Sequence, residues 1–143
     1  MVHALPPTLE EKMISAMNAG YASKIAGNYA LTEKFYLRAW ELYPEPKYDW
    51  DSSQITLYSI ADFYLEWRKF DTALEWANKV FLTGVIPNDG SPYVVIGKIH
   101  FEAGNLDQAY KNFENAYALS KKRVFEGEDK KYLAFYRVRA SGQ

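Results

Sequence analysis

Side chains able to do chemistry are scarce in this chain. Its 143 residues include no cysteine and two histidines, His3 and His100. Without a thiol there is no disulfide, iron–sulfur cluster, thiolate zinc site or cysteine nucleophile. His3 lies in the leading tail. His100 stands on an apolar-periodic stretch with no carboxylate partner near it in sequence, so it reads as packing, not as a base or ligand. Glu126, Glu128 and Asp129 form an acidic cluster. A calcium loop needs alternating oxygen ligands over about a dozen residues and a closing glutamate, and this segment lacks that frame. It reads instead as a glycine turn followed by acids that favour a helix N-terminus. No Gly-x4-Gly-Lys phosphate loop and no Gly-x-Ser-x-Gly elbow occurs. The expectation is no catalytic residue, no cofactor and no metal: not an enzyme.

Composition points toward binding. Hydrophobic residues make up 48% and charged residues 24%, a folded composition. The net charge of −1 gives no bulk drive toward nucleic acid or an anionic membrane. Aromatics reach 17%, with 12 Tyr, 8 Phe and 4 Trp. At that density they either fill gaps between helices or line a gripping surface. Basic residues concentrate at the end: Lys121 to Arg139 holds seven Lys/Arg against three acids, leaving ten basic and fifteen acidic residues elsewhere. With Tyr132, Phe135 and Tyr136 interleaved, that segment has an RNA-binding reading; a solvated final helix is the simpler one. The start has no basic segment followed by an apolar one, and no apolar run approaches about 18 residues. A cytoplasmic protein that neither spans a membrane nor binds nucleic acid is expected.

Seven helices account for the pattern. Thr8 and Glu11 stand at capping-box spacing ahead of a helix to about Ala26, where Gly27-Asn28 stops it. The second runs from about Ala30 to Tyr43 and ends at Pro44-Glu45-Pro46. Asp51 or Ser52 caps a third, ending near Trp67. Asp71 begins a fourth, closed by Gly84. Ser91-Pro92 is an N-cap followed by proline at the first helical position, and the fifth helix ends at Gly104-Asn105. The sixth covers about Asp107 to Lys121. After Gly127, Glu128-Asp129 opens the last, through about Arg139.

The hairpins repeat. Tyr93-x2-Ile96-Gly97-x2-His100, Gly104-Asn105-Leu106 and Ala109-x3-Phe113-x2-Ala116 are echoed by Leu57-x2-Ile60-Ala61-x2-Tyr64, Phe70 and Ala73-x3-Ala77-x2-Val80. A weaker copy is Ala16-x2-Ala19-Gly20-x2-Ser23, Gly27-Asn28-Tyr29 and Thr32-x3-Tyr36-x2-Ala39. Small residues at Gly20, Ala61, Gly97, Ala73 and Ala109 let paired helices approach, and larger ones a turn away fill the flanks. The pattern resembles the tetratricopeptide repeat. Spacing departs from that family's period of about 34 residues, because the Thr32–Ala73 and Ala73–Ala109 intervals are longer, and Lys121 stands at the proline slot of the third copy. The resemblance implies an all-α, right-handed superhelical array of three hairpins, about 9–43, 52–83 and 92–121. A capping helix at 128–139 completes a single domain over 8–139, with tails at 1–7 and 140–143.

In such arrays the first helix of each pair lines a concave face. Candidate groove residues are Met17, Tyr21 and Lys24 from the first hairpin. The second offers Tyr58, Asp62, Leu65 and Glu66, and the third Val94, Lys98, Phe101 and Glu102. This surface is expected to be aromatic in places and mostly acidic at its centre, suited to a protein partner presenting basic and apolar groups. The family members that capture acidic C-terminal tails use a Lys, Asn and Arg clamp; Tyr21, Asp62 and Glu66 stand there instead, which speaks against that role. Tyr48 and Trp50, in the proline-bounded loop 43–51, are either further partner contacts or a plug at a repeat seam.

Two further segments extend the resemblance: Pro44-Glu45-Pro46-Lys47 with Asp49-Trp50-Asp51, and Phe125-Glu126-Gly127-Glu128-Asp129 with Lys131-Tyr132-Leu133 and Phe135. They are similar to a group of short bacterial tetratricopeptide proteins that accompany polymorphic toxin genes. That resemblance implies an immunity protein binding and neutralising a cognate toxin domain. The readings beside it are a general adaptor or chaperone-like scaffold and an RNA-binding helical repeat.

Overall fold

The computed structural model describes residues 3–142. Its helices are α1 (Pro7–Ile25), α2 (Tyr29–Glu41), α3 (Ser53–Glu66), α4 (Phe70–Lys79), α5 (Ser91–Glu102), α6 (Leu106–Ser120) and α7 (Lys130–Ser141). Short 3-10 turns occupy Lys47–Asp49, Val80–Leu82 and Lys121–Phe125. Among the described residues there is no strand, only an isolated bridge between His3 and Trp50. The fold is all-α and built of helical hairpins. Among the described residues no helix is long and apolar enough to cross a membrane. The chain divides into two compact units after Ile60, within α3.

One turn geometry joins α1 to α2, α3 to α4 and α5 to α6. Gly27, Arg68 and Gly104 adopt left-handed backbone, with φ of 81°, 61° and 85°. Each donates its N–H to the carbonyl three residues back, and the next residue donates to the carbonyl five back: Asn28 to Ser23, Lys69 to Tyr64 and Asn105 to His100, at 2.8–2.9 Å. This is the double bond of a Schellman C-cap, which satisfies carbonyls that a helix end leaves orphaned. The residue that closes one helix is also the N-cap of the next. Glycine takes the left-handed position at no steric cost. Arg68 does not, yet it fills that position in the reversal expected between Trp67 and Asp71.

Behind these turns the helices touch at small residues. A Cβ placed on Gly20 would lie 2.4 Å from the Tyr36 ring, and one on Gly97 would lie 2.5 Å from Phe113. Both rings are buried. In the first and third hairpins a larger residue on one helix thus meets a smaller one on the other, while the corresponding positions of the middle hairpin, Ala61 and Ala77, are both small and buried. That complementarity keeps the interior close-packed.

Several ends differ from expectation. The Thr8–Glu11 capping box does not form: Pro7 is the first residue of α1, Pro6 its cap, and no side chain bonds there. A proline at the first position is preset for helix and loses no bond, so Thr8 lies inside the first turn. The N-cap of α5 is Gly90, not Ser91. A Cβ on Gly90 would press within 2.5 Å of the Ala116 carbonyl oxygen, and Asp89 Oδ1 accepts the Ser91 N–H at 2.9 Å instead. α4 tightens to 3-10 after Lys79, where Thr83 Oγ1 donates to the Val80 carbonyl at 2.7 Å. α7 opens as read, with Asp129 Oδ1 accepting the Lys131 N–H at 3.0 Å, and ends at Ser141.

Candidate functional site

In the first unit, α1 places Met17, Tyr21 and Lys24 along one side. Met17 and Lys24 are half-buried, Tyr21 is 56% exposed, and the Lys24 ammonium stands 5.3 Å from the Tyr21 ring centre. Met17 also lines an apolar cavity of about 330 Å³ with Met13, Ile14, Ile55 and Thr56. Tyr58, on α3, is half-buried.

The loop after α2 is pinned to its own unit. Tyr43 is buried, and its hydroxyl sits 2.7 Å from Thr56 Oγ1 and 2.8 Å from Ser52 Oγ. Burial pushes its phenol above the usual tyrosine range. Lys47 Nζ donates to the Trp40 and Tyr43 carbonyls at 3.0 and 2.8 Å, at the C-terminal end of α2 where a helix favours a cation. Tyr48 packs on Trp40 with ring centres 5.6 Å apart. Trp50 donates its indole N–H to the Pro44 carbonyl at 2.9 Å. His3 completes the arrangement: its N–H reaches the Asp49 carbonyl at 3.0 Å, and its carbonyl accepts from Asp51 at 2.7 Å. His3, read as part of a leading tail, is therefore tied down, because its backbone finds a donor and an acceptor on the loop.

The second unit gathers five of the sequence candidates around one cavity of about 550 Å³: Asp62, Leu65, Glu66, Lys98 and Glu102. Arg68 and three residues of the last helix region, Asp129, Lys131 and Tyr132, complete it. Opposite charges pair around Lys98 and Glu102. Lys98 Nζ, on a side chain only 10% exposed, lies 2.8 Å from Glu128 and 3.6 Å from Asp62. Glu102 accepts from the Tyr132 hydroxyl at 2.7 Å and from Lys131 at 2.8 Å, with Arg68 at 3.7 Å. Burial alone would raise the Glu102 carboxyl; the bonds from Lys131 and Tyr132 and the charges of Lys131 and Arg68 outweigh it and hold the group below its ordinary value. Burial, with the Glu102 bond, drives the Tyr132 phenol well up. The acidic centre expected from sequence is thus a surface of alternating charge.

Two candidates offer less surface than their register suggested. Val94 is 3% exposed and presents nothing to a partner. Phe101 is half-buried, with Tyr132 and Phe135 ring centres 5.3 and 5.2 Å away in edge-to-face geometry. The Phe101 contacts come from α7, which continues the aromatic packing beyond α6.

The same packing sorts the basic C-terminal segment. Lys131 pairs with Glu102, and Arg139 bonds Asp107. Lys121, Lys122, Arg123, Lys130 and Arg137 are exposed. Of the acidic cluster, Glu128 serves Lys98 and Asp129 caps α7. Among the described residues no group of three or more carboxylates and histidines is placed to hold a metal. His100 is half-buried on α5; its Nδ1 is enclosed without a hydrogen-bond partner, and burial lowers its pKa.

A glycine-capped hairpin with a large ring packed on a small residue is most regular in α5–α6, and there a family model matches. Residues 91–123 match the tetratricopeptide repeat. The match covers α5, α6 and the first residues of the 3-10 turn after them. No curated protein matches the chain. The repeat explains the inward placement of Lys98 and Glu102, one helix turn apart on its first helix. The liners that sequence reasoning missed, Arg68, Asp129, Lys131 and Tyr132, lie outside the matched span. Charge alternation around Glu128-Asp129-Lys130-Lys131 is the signal for the last three, and no comparable signal marks Arg68.

Proposed function

We propose that the protein is a cytoplasmic protein-binding module that recognises one folded partner, a cognate bacterial toxin domain, and neutralises it as an immunity protein. The observation that carries the binding reading is the tetratricopeptide repeat at residues 91–123, with its turn geometry recurring at Gly27 and Arg68. Stacked hairpins of this kind present extended surfaces to partners. The toxin reading rests on the resemblance of residues 44–51 and 125–135 to short toxin-associated repeat proteins. The cavity beside Asp62 and Glu66, both exposed on α3, offers a partner charged contacts whose gain is mainly in specificity and encounter rate.

A tagged pull-down from native cytoplasm at moderate salt, with mass spectrometry, tests this. One stoichiometric partner encoded beside this gene, toxic alone and neutralised on co-expression, is expected. Asp62→Lys and Glu66→Lys should weaken that complex. A spread of substoichiometric proteins would replace the immunity reading with that of a general adaptor, and absence of any protein partner would overturn the binding reading itself.

A further inference from the structure

The side of α1 that carries Met17 and Tyr21 has an order that matches itself when reversed. Glu10, Ile14, Met17, Tyr21 and Lys24 follow one another at spacings of four, three, four and three residues. That alternation is the 3.5-residue repeat by which one helix face stays against a second helix. Its central members are large and apolar, and two are open to solvent, Ile14 at 45% and Tyr21 at 56%. Beside them Ile55 of α3 is 67% exposed and borders the same apolar cavity. An acid ends the stripe at the first turn of α1 and a base ends it near the last.

The geometry points to a second copy of this chain as the occupant of this stripe, in a two-fold antiparallel pairing of α1 with α1. With the axis at Met17, reversal sets Ile14 against Tyr21 of the second copy and Glu10 against its Lys24, and the same contacts recur on the other side. A two-fold interface must be self-complementary in this way. Parallel pairing would set Glu10 against Glu10 and Lys24 against Lys24, so the charges select the orientation. The stripe spans roughly 21 Å of helix, which belongs to the small, reversible class of interface.

Sedimentation equilibrium of the full chain, from about 10 to about 500 µM, tests the pairing. The mass should rise from 16.5 kDa toward twice that value as concentration increases. Tyr21→Glu should leave a monomer. Glu10→Lys alone and Lys24→Glu alone should each weaken association about fivefold, and the two together should restore it, because the reversed charges again face their opposites. Circular dichroism checks that each variant keeps its helix content; should Tyr21→Glu fail to fold, the charge variants carry the test alone. A mass fixed at 16.5 kDa throughout would overturn the pairing. So would a dimer indifferent to the charge variants, or a double variant no tighter than the single ones.

Discussion

The Lys98 ammonium lies 2.8 Å from the Glu128 carboxylate, joining the first helix of the matched repeat to the turn before α7. The lysine side chain is 10% exposed and the glutamate side chain 25%. A charge so enclosed needs a partner, and removing one member costs more than the pair contributes. Glu128→Gln should therefore destabilise the protein by about 1–2 kcal/mol, with Asp62 at 3.6 Å retaining part of the interaction. Lys98→Met combined with Glu128→Gln should recover most of that loss. Urea denaturation of the two single variants and the double variant gives the coupling directly; additive losses would show that the pair does not hold the turn to α5.

Close approach of α5 and α6 sets a second expectation. Gly97→Ala puts a methyl 2.5 Å from the Phe113 ring, inside a buried contact. Overpacking of this kind costs about 1–3 kcal/mol. Adding Phe113→Leu should recover part of the loss, because the smaller side chain yields the space. Denaturation midpoints would check this, and an unchanged Gly97→Ala midpoint would mean that the helices shift apart without strain.

Arg68 holds a left-handed backbone position that glycine fills in the other two turns. Its guanidinium donates to the Glu102 carbonyl at 3.2 Å, but the side chain is 63% exposed, so that contact contributes little. Arg68→Ala and Arg68→Gly both remove the contact, and they differ in what the backbone costs. The glycine variant should be the more stable by about 1 kcal/mol, the reverse of their order inside a helix. Equal stabilities would count against left-handed strain at this residue.

Helix number, helix type and most of the core were legible because they rest on local signals. Gly27-Asn28, Gly104-Asn105 and Pro44 mark chain reversals through their own backbone preferences, and the small positions at Gly20, Ala61 and Gly97 recur at fixed spacing. The candidate surface was less legible. The register set Asp62, Glu66, Lys98 and Glu102 apart from their neighbours, and these residues line one cavity with Leu65. Their electrostatics depended on Lys131 and Tyr132, about thirty residues past Glu102, and a sequence does not display a contact between distant segments. For Tyr48 and Trp50 the sequence left a partner contact and a plug at a repeat seam equally open; the bonds from Trp50 to the Pro44 carbonyl and from Lys47 to the end of α2 required coordinates.

Acid sensitivity should arise from two residues of α5 in two separate pH windows. Burial lowers the His100 pKa from 6.5 in the folded chain. The unfolded chain then binds the proton more readily, so stability is intact above about pH 6.5 and declines as pH falls below it. Glu102 behaves like a paired carboxylate: its pKa is lowered from 4.5, and its contribution is present above that value and lost as pH falls through the folded one. His100→Phe, which supplies an aromatic where the middle hairpin carries Tyr64, should flatten the stability profile just below pH 6.5 and leave the lower window alone. Glu102→Gln should do the opposite, at some loss of stability near neutrality because Lys131 loses its partner. Urea midpoints measured from pH 7.5 to below pH 4 separate the two. A profile that keeps its decline just below pH 6.5 in His100→Phe would assign that window to another group.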